Sequence, residues 1–352
     1  MTTSILPQRN ATHDAPQHGP RPLPLFLEML RSETATDPDR MARALAGLRR
    51  YQHAPRPKPG RAAPVRFRKG RARLRDFGGA GRDVVFVPSL INPPGVLHLT
   101  PETSLIGWVR AQGFRCWLLD WGTPLPRDHA LDIAAHVCER LVPLIAKLPA
   151  PPLLVGYCLG GTMAWGAAAA IPVAGVATIA APWHFSGYGA VEEMTALWRA
   201  ARPLCEAMGL VPMEVLQTAF WKLDPKRTFA KYERLAEASD AAVAEFIALE
   251  DWANAGAPLT YAAGAELFEG MIEADRPGRG EWHVGGRVVD PLALPCPAIE
   301  FVSVSDRIVP AATAANLADR RDLGAGHVGM VVGRGRMALW EPLGAWLRGV
   351  AG

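Results

Sequence analysis

Five short runs, "DVVFVPSL", "FRCWLLDW", "PLLVGYC", "VATIAAP" and "PAIEFVSVSD", are apolar with almost no alternation, and each ends at a turn-forming or polar residue. A strand with one wet face alternates; a continuously apolar strand is covered on both faces, as helices cover a parallel sheet. Helix-length segments separate the runs, so the chain reads as an α/β fold with a mostly parallel, doubly wound sheet. Upstream, "VRFRKGRARLRDFG" alternates about Lys69-Gly70 and predicts an antiparallel hairpin opening that sheet. Between Pro182 and Pro295 helical periodicity dominates, as in "AVEEMTALWRAARPLCEAM" and "AAVAEFIALEDWANA", and no core strand is evident. A helical segment inserted between two sheet strands is expected as a cap over the strand C-termini, where open α/β sheets bind ligands. "EPLGAWLRG" reads as the last helix.

The 352 residues hold one large α/β domain with a cap, or two domains. The expected division is an N-terminal region, 1–60, of tail and short helices, partly disordered, and an α/β domain, 61–352, with its cap inserted at about 184–290. Residues 1 to about 22 lack periodicity, and Pro24 to Tyr51 accommodates one or two short helices. With 49% hydrophobic and 20% charged residues, no apolar run approaches the ~18 residues that read as a membrane span. The opening "MTTSILPQRNATHDAPQHGP" lacks the layout of a secretory signal, so a soluble, cytoplasmic protein is expected. Cys116, Cys138, Cys158, Cys205 and Cys296 form no CxxC pair, which argues against a zinc site and a disulfide framework. Net charge is +4, yet eleven Lys and Arg fall between Arg49 and Arg75 with no acid among them. With no aromatic interleaving or nucleic-acid motif, this run reads as a solvated linker and hairpin, without a nucleic-acid partner.

The stretch "LLVGYCLGGTMAWGAAAA" carries the chemistry: a buried strand enters a Gly156-x-Cys158-x-Gly160 corner and leaves as an alanine-rich helix. Such a strand-to-helix turn is the geometry of a nucleophile elbow, with Cys158 in the place commonly held by Ser. Peptide dipoles at a helix N-terminus favour a thiolate there. The Leu159 N–H is the expected first oxyanion donor; the second is expected from the end of "VFVPSLIN", at Leu90 or Ile91. A thiol nucleophile needs a base and an orienting acid. His327 in "GAGHVGM" and Asp306 in "VSVSDRIVP" complete the order nucleophile, acid, histidine of the α/β-hydrolase fold. Against this stand plainer readings: a packing cysteine, a turn aspartate, a loop histidine, with Asp120 and Asp251 as rival acids. His98, His129, His136 and His184 have no metal-ligand spacing, and no metal is expected.

With these residues in place the chain resembles the poly(3-hydroxyalkanoate) synthases, and by its length the short class III type. The resemblance runs from about Val65 to Leu347 and rests on "RKGRARLRDF", "LTPETSLIGWVRAQGF", "WLLDWGTP", "GYCLGGT", "GLVPMEVLQTAFWKLDP", "LEDWANAGAP", "LPCPAIEFVSVSDRIVP" and "GAGHVGM". It implies an acyltransferase that passes a 3-hydroxyacyl group from coenzyme A to Cys158 and on to a hydroxyl, so that a polyester grows. His327 would be the base and Asp306 its orienting acid. No cofactor is implied beyond the CoA thioester substrate. The partners implied are the growing polyester, a companion synthase subunit and a second copy in a homodimer, at a cytoplasmic granule surface. The chain departs from the family pattern at Arg307, His98 and His184, and in a shorter interval from Asp306 to His327. Dienelactone hydrolases carry a similar cysteine elbow. A cysteine hydrolase acting on thioesters, lactones or esters is therefore the first alternative, and a non-catalytic granule-associated paralogue the second.

Overall fold

A computed structural model describes residues 19–56, 62–223 and 225–351. The stretch up to residue 18, expected to lack structure, and residues 57–61 of the basic linker lie outside the described residues. The chain forms two compact units, one built from the N-terminal helices with Pro225–Asn254, the other from the remainder.

The larger unit is organised by an eight-stranded sheet of β1 (Val65–Lys69), β2 (Ala72–Asp76), β3 (Asp83–Val87), β4 (Arg115–Asp120), β5 (Leu153–Tyr157), β6 (Gly175–Ile179), β7 (Ala298–Ser303) and β8 (Arg320–Leu323), in the order β1-β2-β4-β3-β5-β6-β7-β8. The hairpin β1-β2 and the β2-β4 pair are antiparallel, and every other neighbour is parallel. Every residue of β3, β5 and β6 is buried, which accounts for their unbroken apolar sequence. The expected α/β fold is the observed one. Between Pro182 and Pro295 the described strands are two-residue pairs, Leu210–Val211 with Leu259–Thr260 and His283–Val284 with Arg287–Val288. The rest of that segment is largely helical, and its Pro225–Asn254 stretch belongs to the smaller unit.

The hairpin turns at Gly70, whose φ of +58° suits glycine. Part of the basic run is neutralised locally: Asp120, ending β4, accepts from Arg75 at 2.9 and 2.7 Å and lies 3.5 Å from Arg73. Asp120 thereby joins the antiparallel edge to the parallel sheet. Among the described residues no helix is long and apolar enough to cross a membrane.

The smaller unit consists of the helices Leu23–Glu33, Pro38–His53, Pro225–Leu235 and Asp240–Asn254. Asp37 caps the second by accepting from the Arg40 N–H at 2.9 Å, with Pro38 in the first turn. Phe26 meets Phe229 and Tyr232 edge-on at 5.1 Å, and all three rings are buried. A Cβ at Gly47 would fall 1.8 Å from the Tyr232 carbonyl oxygen, so only glycine allows that approach of backbones. Buried Glu250 accepts from Lys231 Nζ through both oxygens at 2.7 Å and from the Tyr232 hydroxyl at 2.8 Å. Replacing Glu250 by Ala leaves both donors unpaired and is expected to cost about 2 kcal/mol. Hydrogen exchange should localise the loss to Pro38–His53 and Pro225–Asn254 while the amides of β3 and β5 keep their protection.

Candidate active site

β5 ends at Tyr157, and the chain reverses at Cys158 into the helix Leu159–Ala170. Cys158 has φ 56° and ψ −135°, a region costing a non-glycine residue of order 1–3 kcal/mol unless its surroundings enforce it. They do so by hydrogen bonds and by packing. The Cys158 N–H donates to Ile179 O at 2.9 Å, and its carbonyl accepts from the Gly161 N–H at 2.8 Å. A Cβ on Gly156 would sit 2.4 Å from Gly161 Cα, one on Gly160 2.2 Å from Val87 O, and one on Gly161 2.4 Å from Ala181 Cβ. The helix thus lies directly on the ends of β3 and β5, and a side chain at any of the three glycines would push it away. Thr162 adds a hydroxyl bond to Pro182 O at 2.6 Å.

Asp306 follows β7 and His327 lies in the loop after β8, both more than nine-tenths buried. The His327 Nδ1–H donates to Asp306 Oδ2 at 2.6 Å, while Asp306 Oδ1 accepts the N–H groups of Ile308 at 2.7 Å and Val309 at 3.0 Å. The Cys158 thiol is close enough to the same imidazole to act on its charge. Burial alone would hold the His327 ring neutral, but the Asp306 carboxylate, hydrogen-bonded to it, and the neighbouring Cys158 outweigh it and raise its pKa to about 10. The structure therefore brings residues 158, 306 and 327 together.

Several further groups hold this arrangement. The Ser303 hydroxyl donates to Ala325 O at 2.5 Å and that of Ser305 to Gly324 O at 2.8 Å, tying the histidine loop to the end of β7. The Tyr157 hydroxyl donates to His327 O at 3.2 Å, with the two rings 5.0 Å apart. Tyr188, in the turn Phe185–Tyr188, is close enough that burial, then Cys158 and Asp306, push its phenol well above the usual range. The alternating serines of "VSVSD" were visible in the sequence; nothing marked Tyr188.

Leu159 opens the elbow helix, where N–H groups have no partner within the helix. β3 pairs with β5 through Val87 and Gly156, so its continuation, Pro88 to Ile91, runs beside the elbow. The Ile91 N–H already donates to Ser89 Oγ at 3.1 Å, whereas the Leu90 N–H has no hydrogen-bond partner among the described residues. Of the two candidates named from sequence for the second donor, Leu90 is the open one.

The other acids and histidines lie elsewhere. Asp120 is held by the hairpin arginines, and Asp251 accepts from the Tyr51 hydroxyl at 2.6 Å and from Arg56. His98 Nδ1 and Ser104 Oγ share a 2.6 Å hydrogen bond at the start of the helix Leu105–Ala111. The His184 N–H donates to Thr313 O at 3.0 Å. All five cysteines are free.

No family model matches the chain. It is 28% identical over 284 residues to the poly(3-hydroxyalkanoate) polymerase subunit PhaC of Haloferax mediterranei, covering 75% of this chain and 58% of that one. To the protein of the same name from Haloarcula marismortui it is 24% identical over 284 residues, with 75% and 60% covered. The chain thus spans about 60% of the length of these two relatives. Among solved structures it resembles the monoacylglycerol lipase of Paleococcus ferrophilus, with a TM-score of 0.51, 18% identity, and 79% of this chain and 98% of that one covered. That likeness concerns the fold, which is the α/β-hydrolase fold.

Two outcomes follow from this geometry. Gly160→Ala, whose methyl would strike the β3 backbone, is expected to destabilise the protein by about 1–3 kcal/mol. Gly324→Ala, with nothing within 4 Å, should stay within about 0.5 kcal/mol, urea titration measuring both variants. Since the folded-state pKa of His327 lies above its ordinary 6.5, protonation of the ring stabilises the fold fully below pH 6.5, and this contribution is lost as pH rises through about 10. Urea midpoints should fall across that window in the wild type and fall less in Asp306→Asn.

Proposed function

We propose that this chain, a divergent relative of the PhaC polymerases, is an acyltransferase that builds polyhydroxyalkanoate from 3-hydroxyacyl-CoA through a thioester on Cys158. The observation that carries the proposal is a thiol, rather than a hydroxyl, at an enforced elbow beside the hydrogen-bonded His327–Asp306 pair. The names of the relatives supply the substrate class.

In the first half-reaction the thiol proton already rests on His327, and the Cys158 sulfur, as the thiolate of that pair, attacks the thioester carbonyl carbon. The oxyanion of the tetrahedral intermediate accepts from the N–H groups of Leu159 and Leu90. The carbon–sulfur bond to CoA then breaks, and the imidazolium returns its proton to the departing thiolate. In the second half-reaction a hydroxyl oxygen attacks the enzyme thioester, its proton moves to His327, and Cys158 leaves as the thiolate beside the imidazolium as the ester bond forms. Asp306 holds the imidazole with Nδ1–H toward itself, so that the other ring nitrogen handles both protons. Exchange of one thioester for another is nearly balanced in energy. A serine ester would discard the activation needed for the second step, which gives sulfur its purpose here.

This route needs no cofactor beyond the CoA thioester. It carries with it a cytoplasmic enzyme at a polyester granule surface, acting as a homodimer with a companion subunit. The word subunit in the relatives' names supports that companion.

Incubation of the pure protein with 3-hydroxybutyryl-CoA tests the reading. Wild-type protein should release CoA, gain the mass of a hydroxybutyryl group on Cys158 and yield insoluble polymer. Cys158→Ala should lose all three, and His327→Phe should slow CoA release by at least about 100-fold. Release of CoA with free 3-hydroxybutyrate alone would identify a hydrolase instead. A protein that folds, stays unmodified and releases no CoA would be non-catalytic.

A further inference from the structure

A half-open pocket lies in the larger unit beside the proposed oxyanion hole. It sits where the C-terminal ends of β3 and β4 meet the start of β2, on the side of the elbow away from β7 and β8, which carry Asp306 and His327. Leu90, whose N–H is the open oxyanion donor, also lines this pocket. With Trp121 and Leu131 it makes an apolar surface, while Arg71, His136 and Arg140 supply polar groups.

His136 is the informative member. Its ring is 9% exposed, and its Nδ1–H donates to Asp132 O at 2.7 Å. That bond fixes the tautomer and leaves Nε2 as an acceptor, without a partner among the described residues, on a ring that lines the pocket. Burial holds its pKa below the ordinary value, against the Asp132 contacts and Asp128, with Arg140 lowering it further. The ring is neutral at pH 7 and calls for a hydrogen-bond donor. The two arginines do not make the pocket an anion site: Arg71 lies 3.4 Å from Asp128 and Arg140 3.3 Å from Glu139. Their N–H groups suit a neutral carbonyl.

We infer that this pocket binds a neutral hydroxyacyl ester unit, its hydroxyl donating to His136 Nε2, its carbonyl facing the guanidinium groups and its alkyl part lying on Leu90, Leu131 and Trp121. The inference rests on the polymerisation reading and deepens it: a growing polyester offers this combination of groups, and Leu90 links the pocket to the hole in which its ester bonds form. His136 is then a substrate-binding residue outside the Cys158–His327–Asp306 set.

The test uses the full chain carrying Cys158→Ala, which cannot be acylated, titrated with methyl 3-hydroxybutyrate, methyl butyrate and sodium 3-hydroxybutyrate and followed by ligand-observed NMR. The hydroxy ester should bind saturably and about tenfold more tightly than the ester lacking the hydroxyl, the effect of one hydrogen bond to a buried acceptor. Adding His136→Phe should bring the two esters to equal affinity, and adding Leu131→Trp should abolish binding of both. Melting curves confirm that each variant folds, and should either variant fail to fold, His136→Leu and Leu131→Phe take its place with the same expected outcomes. Tighter binding of the carboxylate than of its ester, an unchanged hydroxyl preference without His136, or full affinity with the pocket filled would each overturn the inference. Failure of Cys158 acylation in the wild type would overturn the polymerase reading alone, since this titration does not depend on it.

Discussion

The arrangement depends on direct contact between backbones at the elbow. Gly156 and Gly160 let the helix Leu159–Ala170 lie against Val87 and the end of β5 with no side chain between, and Gly161 leaves room for the Ala181 methyl. That contact holds Cys158 in a left-handed conformation it would not choose, and it aims the first N–H groups of the helix at the space above the sheet. A strained turn persists only when its surroundings over-determine it, and here three glycines and two backbone hydrogen bonds do so.

Charge is placed as tightly as shape. The Asp306 carboxylate accepts two backbone N–H groups as well as the His327 ring, so it is fixed before it fixes anything else. The serine hydroxyls of residues 303 and 305 hold the histidine loop against β7, which limits the ring's freedom to swing away from the sulfur. Desolvation works against protonating a buried imidazole, and in this site the neighbouring acid and thiol prevail. The other four thiols feel burial above all: those of Cys138, Cys205 and Cys296 are pushed up, and that of Cys116 reaches about 12.

The parts legible in the sequence were those with a strong local cause. β3, β5 and β6 were visible because burial on both faces leaves a continuous apolar run, and the elbow because its glycines are fixed by sterics at known spacing. The last strand, β8, was missed: "RRDL" is an edge strand with only Leu323 buried, so its residues carry the signature of a loop. The packing of Pro225–Asn254 with the N-terminal helices was equally hidden, since it joins segments about 170 residues apart through buried rings, the Arg40–Glu233 ion pair and the Tyr51–Asp251 hydrogen bond. Tyr188 and His136 escaped for a related reason. A lone tyrosine or histidine on a helical stretch looks like packing until tertiary contacts place it against Cys158 or at the wall of a pocket.

The central claim, that Cys158 is set apart from the other cysteines by His327 and Asp306, is tested most directly by residue-resolved alkylation of the folded protein with iodoacetamide at pH 7. Cys158 should react at least about tenfold faster than half-buried Cys138 and Cys296, and His327→Phe should remove that advantage. Equal reactivity of the three thiols, or an advantage that survives loss of the imidazole, would contradict it.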